Sequence, residues 1–333
     1  MAVAGREQAA AIRQTLDLAA QCEAWGYHRF WVSEHHSHPS IVGTAPEVLM
    51  AALTQRTQRI RLGSAGVMLP HYAPLKVAEQ FRVLDALAPG RIDLGVGRAP
   101  GSDGRTAQLL NPDRQAAERF PQQVLELQAW VQGHDLPAGH PGQGIHAYPH
   151  GATAPALWML GSSDYGAQLA AHFGLPYAFA YFITDGQGAE QALALYRDGF
   201  QARHADAQPQ AVVCVWALAA DTEAEAWALF ESRARWRMDR NLGQIGPLLP
   251  PDQARDFRAL WDEFEAAETP DAIFAKSLDR VQPVMANLMS GGGTWIEYNV
   301  TADQLETRVG VKVAKGAPQL WSWVKAQTLA FFQ

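Results

Sequence analysis

The sequence is poor in cysteine, with two in 333 residues, Cys22 and Cys214, far apart and each without a neighbouring cysteine. That excludes a disulfide framework and any CxxC redox or zinc motif, and it suits a reducing cytoplasm. Lysine is scarce as well: four of the five lysines (Lys276, Lys312, Lys315, Lys325) lie in the last third, and no histidine follows His204. The net charge is -7, only 18% of residues are charged, and the arginines form no basic stripe, which excludes nucleic acid as the expected partner. Arg6, Glu7, Arg13 and Asp17 interrupt any signal-peptide core, and no apolar run approaches the roughly 18 residues of a membrane span. The expectation is an untargeted cytoplasmic protein with no membrane partner.

What is present is a 48% hydrophobic chain long enough for one large barrel or two ordinary domains. "REQAAAIRQTLDLAAQCEAWG" has helical spacing and is followed by a strand at "HRFWVSE". The alternation repeats through "PEVLMAALTQRT", "IRLGSAGVML", "LKVAEQFRVLDAL" and "RIDLGVG", then a helix over roughly residues 113 to 132 and a long Gly/Pro/His-rich loop. "ALWMLG", "GAQLAAHFG", "YAFAYFI", "AEQALALYRDGFQARH" and "AVVCVWALA" continue it. Short apolar strands alternating with helices imply βαβ units and a parallel sheet. Six strands fit a doubly wound sheet and a (β/α)8 barrel needs eight, so the rhythm leaves both open. Beyond Thr222 the pattern is helical only.

In a parallel α/β sheet, ligands sit at the carboxyl ends of the strands. Four such ends carry chemistry: Glu34, His35 and His36; Ser64, Ala65 and Gly66; Arg98; Ser162 and Ser163. "WVSEHHSHP" supports three readings, namely a metal site, an acid/base or polar pocket, and a structural loop. Metal ranks last, because adjacent residues leaving a strand point to opposite sides. In "GSSDYGAQLAAHFG" the hydroxyls and free N–H groups at the helix start suit a phosphate opposite Arg98, with an ordinary N-cap as the alternative. The glycines of "GVGRAPG" miss the dinucleotide-binding spacing. His140, His146 and His150 are expected to be solvated loop residues.

Taken together, "YHRFWVSEHHS", "APEVLMAALTQRTQRIRLGSAGVMLPHYAPLKVAEQFRVLDALAPGRIDLGVGRAPG" and "GSSDYGAQLAAHFGLPYAF" resemble the bacterial luciferase-like flavin-dependent monooxygenases over about residues 10 to 245. The resemblance implies a TIM-type (β/α)8 barrel that binds reduced FMN, rather than a deazaflavin, at its carboxyl face. It implies a pocket lined by His35 and His36 beside Glu34, with one histidine as acid/base. Ala65-Gly66 would stand against the flavin ring, often as a non-prolyl cis peptide, and Arg98 with Ser162, Ser163, Tyr165 and Gly166 would hold the phosphate. The implied chemistry is oxygenation of an unknown small organic substrate by O2. A separate NAD(P)H flavin reductase would supply the reduced FMN, since no dinucleotide motif is present. Family members open with a strand that this chain, starting almost inside its first helix, is expected to lack, and they close with a strand and helix not visible here. A homo-oligomer would cover the open edges of such an incomplete barrel.

"DFRALWDEFEAAETPDAIFAKSLDRVQPVMANLMSGGGTWIEYNVTADQLETR" resembles the C-terminal half of an HD-domain metal phosphohydrolase, with Asp279 at the position of that family's last metal ligand. The resemblance implies a vestigial site, because a lone aspartate cannot hold a metal and no histidine follows His204. The expected organisation is therefore a flavin-binding barrel over 1-248 and a helical segment over 249-333, a fusion of two truncated genes or a misread frame. The alternative functions are a metal-dependent nucleotide phosphohydrolase remnant and an inactive fusion protein.

Overall fold

The computed structural model describes residues 1-204 and 206-332, with the backbone alone at 256-258. The chain divides into two compact units: Met1–Ala226 with Trp236–Leu248, and Trp227–Arg235 with the residues from Leu249 onward.

The first unit is built on a parallel sheet of seven strands: β1 (Arg29–Val32), β2 (Arg61–Ser64), β3 (Val67–Met68), β4 (Ile92–Gly97), β5 (Ala156–Gly161), β6 (Tyr177–Phe179) and β7 (Ala211–Val213). Its order is β1-β2-β4-β5-β6-β7, with β3 also paired to β4. Along this path the strands follow one another in sequence order, β3 excepted, and nowhere does the order reverse. That is the winding of a barrel, not of a doubly wound sheet. Between the strands run α1 (Gln8–Ala24), α2 (Pro46–Thr54), α3 (Pro74–Leu87), α4 (Gly104–Leu110), α5 (Phe120–Gln132), α6 (Asp164–Phe173), α7 (Tyr181–Thr184) and α8 (Ala189–Arg203).

The period of two in β4 sorts its residues between the faces. Ile92, Leu94 and Val96 join Leu62, Leu157 and Met159 in a buried core with Met50, Leu53, Phe81 and Leu127 of the helices. Truncating one of these leucines to alanine costs about 2–5 kcal/mol. The other face carries Asp93, which is fully buried near the amino ends of the strands. Its carboxylate accepts from Arg29 Nε at 3.0 Å, Trp31 Nε1 at 2.9 Å and Arg61 Nη2 at 2.6 Å. Three satisfied donors make this buried charge tolerable and leave the opposite, carboxyl end of the sheet for chemistry.

Several expected elements differ in extent. "IRLGSAGVML" is two strands, because the chain turns at Ala65-Gly66, whose peptide bond is cis, and β3 then pairs with Val96 and Gly97 of β4. "YAFAYFI" ends as a strand at Phe179 and turns into α7; "AVVCVWALA" keeps only three paired residues. The helix expected from residue 113 begins at Phe120 after a 3-10 turn, since Pro121 fits the first turn of a helix and no later position. His140 is not a solvated loop residue: its ring accepts Gly142 N–H at 3.0 Å and meets Glu126 at 3.1 Å. A short extended segment precedes α1. Ala2–Ala4 run beside Leu248, with Ala4 N donating to Leu248 O at 2.9 Å and Val3 bridged to Leu248 in parallel.

After β7 every named element is helical. α9 (Glu223–Asn241) contributes residues to both units, and the second unit contains α10 (Pro251–Ala266), α11 (Pro270–Met289), α12 (Gly293–Glu297), α13 (Ala302–Leu305), α14 (Val311–Gly316) and α15 (Pro318–Phe331). Val281, Val284, Trp295, Leu305, Val313, Trp321 and Val324 form its own buried cluster. No described helix is long and apolar enough to cross a membrane.

Candidate active site at the carboxyl ends of the strands

The segment after β1 places its three polar residues differently. Glu34 is buried, and three donors converge on it: His36 Nε2 at 2.7 Å and Tyr72 Oη at 2.6 Å on Oε1, and the Met68 N–H at 3.0 Å on Oε2. His36 is thereby tied down and lies edge-on to His71, with ring centroids 6.0 Å apart. His35 instead donates from Nδ1 to the Gly101 carbonyl at 3.2 Å, a bond that leaves its Nε2 with the lone pair. Burial lowers the His35 pKa; the Arg240 and His36 charges add to that, against the Gly101 carbonyl and Glu34, which raise it. A half-buried imidazole kept neutral near pH 7 is suited to taking a proton.

Beside it, β2 and β4 approach closely at the cis Ala65-Gly66 peptide. A Cβ on Gly66 would stand 2.7 Å from the Gly95 carbonyl oxygen, and one on Gly95 would strike the Ser64 carbonyl. Ser64 Oγ donates to Gly95 O at 2.8 Å and fixes this approach.

Arg98 follows β4 and lies on the face of Tyr165, its guanidinium carbon 4.1 Å from the ring centroid. Tyr165 stands in the first turn of α6, with Ser163 as N-cap and no side-chain capping bond. The ordinary-cap reading is therefore not what the geometry gives, and the hydroxyls of Ser162 and Ser163 make no side-chain hydrogen bond among the described residues. Gly166 is buried against Gly161 and Tyr177. The structure thus brings Arg98 to the head of α6, where exposed N–H groups and a cation suit an anionic oxygen group. A cavity of about 410 Å³ adjoins, lined by His71, Arg98, Gln108, Asn111 and Arg114.

Asp279 lies exposed on α11, and no group of three or more His, Cys, Asp or Glu among the described residues could hold a metal ion. No role fell to Tyr72, Gly101 or His71 from the sequence, which marked His38 only as one imidazole of the "WVSEHHSHP" run. "PHY" directly after β3 was a signal for the first, because it too leaves a strand end; Gly101 contributes a backbone carbonyl, which no side-chain pattern announces.

The fold defines a class, the α/β proteins whose parallel sheet winds as in a barrel. A family profile described as Luciferase-like monooxygenase matches residues 2–289, and the chain belongs to that family. The match runs across the boundary expected at 248/249 and past Asp279. The chain is 46% identical over 224 residues to "Uncharacterized protein YwcH" of Bacillus subtilis (strain 168), covering 67% of this chain and 66% of that protein. It is 44% identical over 203 residues to the "N-acetyl-S-alkylcysteine monooxygenase" of the same strain, covering 60% of this chain and 58% of that one. The chain thus spans less than two thirds of either relative's length. Among solved structures, apo-MsnO8 superposes with a TM-score of 0.70 at 36% identity, covering 78% of this chain and 76% of that one.

Proposed function

We propose that the protein is a monooxygenase that uses reduced FMN and O2 on a small organic substrate, with the reduced flavin delivered by a separate NAD(P)H flavin reductase. The observation that carries this reading is the convergence at neighbouring strand ends of a neutral imidazole, a close-packed cis turn, and an arginine facing a helix start. The residues fit the cofactor. Arg98, Ser162, Ser163 and the first N–H groups of α6 would hold the phosphate, Tyr165 and Gly166 would shape its seat, and Ala65-Gly66 would lie against the ring.

Bound reduced FMN supplies the electrons that activate O2 for insertion into the substrate. Arg98, backed by the Tyr165 ring, would hold the phosphate. His35 Nε2 takes or returns a proton at the reacting centre. Glu34 holds His36 in one orientation, and Tyr72 and Met68 N hold Glu34. The named substrate of the relative suggests thioether-bearing amino-acid derivatives as the first compounds to assay.

Titration of the purified chain with FMN, oxidised and reduced, followed by flavin fluorescence and absorbance, tests the reading. Saturable binding with Kd below about 100 µM is expected; none in either redox state sinks it. A parallel titration with the deazaflavin F420 decides the cofactor.

A further inference from the structure

His38, two residues past the Glu-His-His run, is held in a defined tautomer. Its Nδ1 accepts the backbone N–H of Ser40 at 3.2 Å and of Ile41 at 3.3 Å, and lies 3.1 Å from Ser40 Oγ. The direction of that hydroxyl is fixed in turn. Ser40 is fully buried, and its oxygen accepts the indole N–H of Trp236 at 3.0 Å, so its proton goes to His38. A ring nitrogen that accepts from two backbone N–H groups cannot carry a hydrogen, which places the His38 hydrogen on Nε2. His35 is the reverse, because the Gly101 carbonyl only accepts and puts the hydrogen on Nδ1. The two rings meet edge to face with centroids 6.4 Å apart, and neither Nε2 has a hydrogen-bond partner among the described residues.

We propose that His38 is a second ligand-binding imidazole, paired with His35 so that one offers an N–H and the other a lone pair to the same hydroxyl-type oxygen. An alcohol, a hydroperoxide or water gives its O–H to His35 Nε2 and accepts the His38 Nε2–H. A carbonyl or carboxylate, having no O–H, engages His38 alone. The pairing requires the two Nε2 atoms to stand within about 5.5 Å of each other, the reach of one oxygen about 2.8 Å from each.

Burial lowers the His38 pKa, and the charges of His35 and Arg240 act the same way. The groups facing the pair are Glu34 and His36 from its own segment and Arg240 from α9, whose guanidinium stands 5.8 Å from the Trp236 ring. With both imidazoles neutral, the pocket keeps one donor and one acceptor. The pairing deepens the flavin reading by naming what stands beside His35, yet its tautomers hold without a flavin.

Two measurements on the full chain test the proposal. Long-range 1H–15N spectra of histidine-labelled protein near pH 7 are expected to show His38 protonated only at Nε2 and His35 only at Nδ1. A neutron structure is expected to show an oxygen bridging the two Nε2 atoms. A hydrogen on His38 Nδ1, or no oxygen within about 3.2 Å of both nitrogens, overturns the proposal. His38→Gln keeps an N–H donor at that place and is expected to retain the bridging oxygen, whereas His38→Met loses it with FMN affinity unchanged. If His38→Met retains the oxygen, the assignment of His38 fails. If wild type binds no FMN but shows both tautomers and the bridge, the flavin reading falls and this pairing stands.

Discussion

His36 Nε2 lies 2.7 Å from Glu34 Oε1, and the same carboxyl receives Tyr72 and Met68 N, which makes Glu34 the hub of the pocket's polar side. Glu34→Gln preserves its shape but turns one acceptor into a donor facing a donor. We expect a loss of about 1–3 kcal/mol of stability in urea denaturation, and a disordered His36 ring in a crystal structure. Wild-type stability in that variant would refute the hub.

The Arg98 guanidinium stacks on Tyr165 at the head of α6. Arg98→Ala is expected to weaken FMN binding about 10- to 100-fold, the worth of a charge-assisted contact, and to leave riboflavin binding unchanged. Tyr165→Leu removes only the cation–π support, with an expected loss of about two- to fivefold. Equal losses for FMN and riboflavin would show that Arg98 does not meet the phosphate.

Gly95 has no room for a side chain, since an added Cβ would strike the Ser64 carbonyl and stand 2.6 Å from Leu160 Cδ1. Gly95→Ala is expected to cost about 1–3 kcal/mol or more. Gly97, two residues on, has nothing within 4 Å of such a Cβ, so Gly97→Ala is the control and should stay within about 0.5 kcal/mol of wild type. Equivalent urea midpoints for the two variants would contradict the close approach.

Burial lowers the pKa of both His35 and His38, so between their folded values and the unfolded value of 6.5 the unfolded chain binds more protons. Their contribution to stability is present above about pH 6.5 and is lost as the pH falls from there through the folded values. Urea midpoints of wild type should therefore decline from about pH 7 to pH 5, and His35→Asn should flatten part of that decline. A wild-type midpoint that rises over the same interval would reverse the sign and refute the assignment.

Some of this was open to inspection in the chain itself. "IDLGVG" alternates apolar with small or charged residues, which is enough to mark β4 and its two faces. The rule that ligands gather at strand ends singled out Glu34, His35, Arg98 and Ser162 before any contact was known. Tyr72 escaped because its role depends on a hydroxyl meeting a carboxylate 38 residues away. His38 drew no role of its own because its tautomer is set by the backbone N–H groups of Ser40 and Ile41, which no side-chain pattern announces.

Periodicity and composition, being local, determined the βα rhythm, the apolar core faces and the candidate strand-end residues. Only the tertiary structure decided that the strands follow one another without reversal, that "IRLGSAGVML" breaks at Ala65-Gly66, and that the helices beyond Leu248 pack as a separate unit. Strand order and hydrogen-bond partners join residues far apart in sequence, and no short window of the chain contains both members of such a pair.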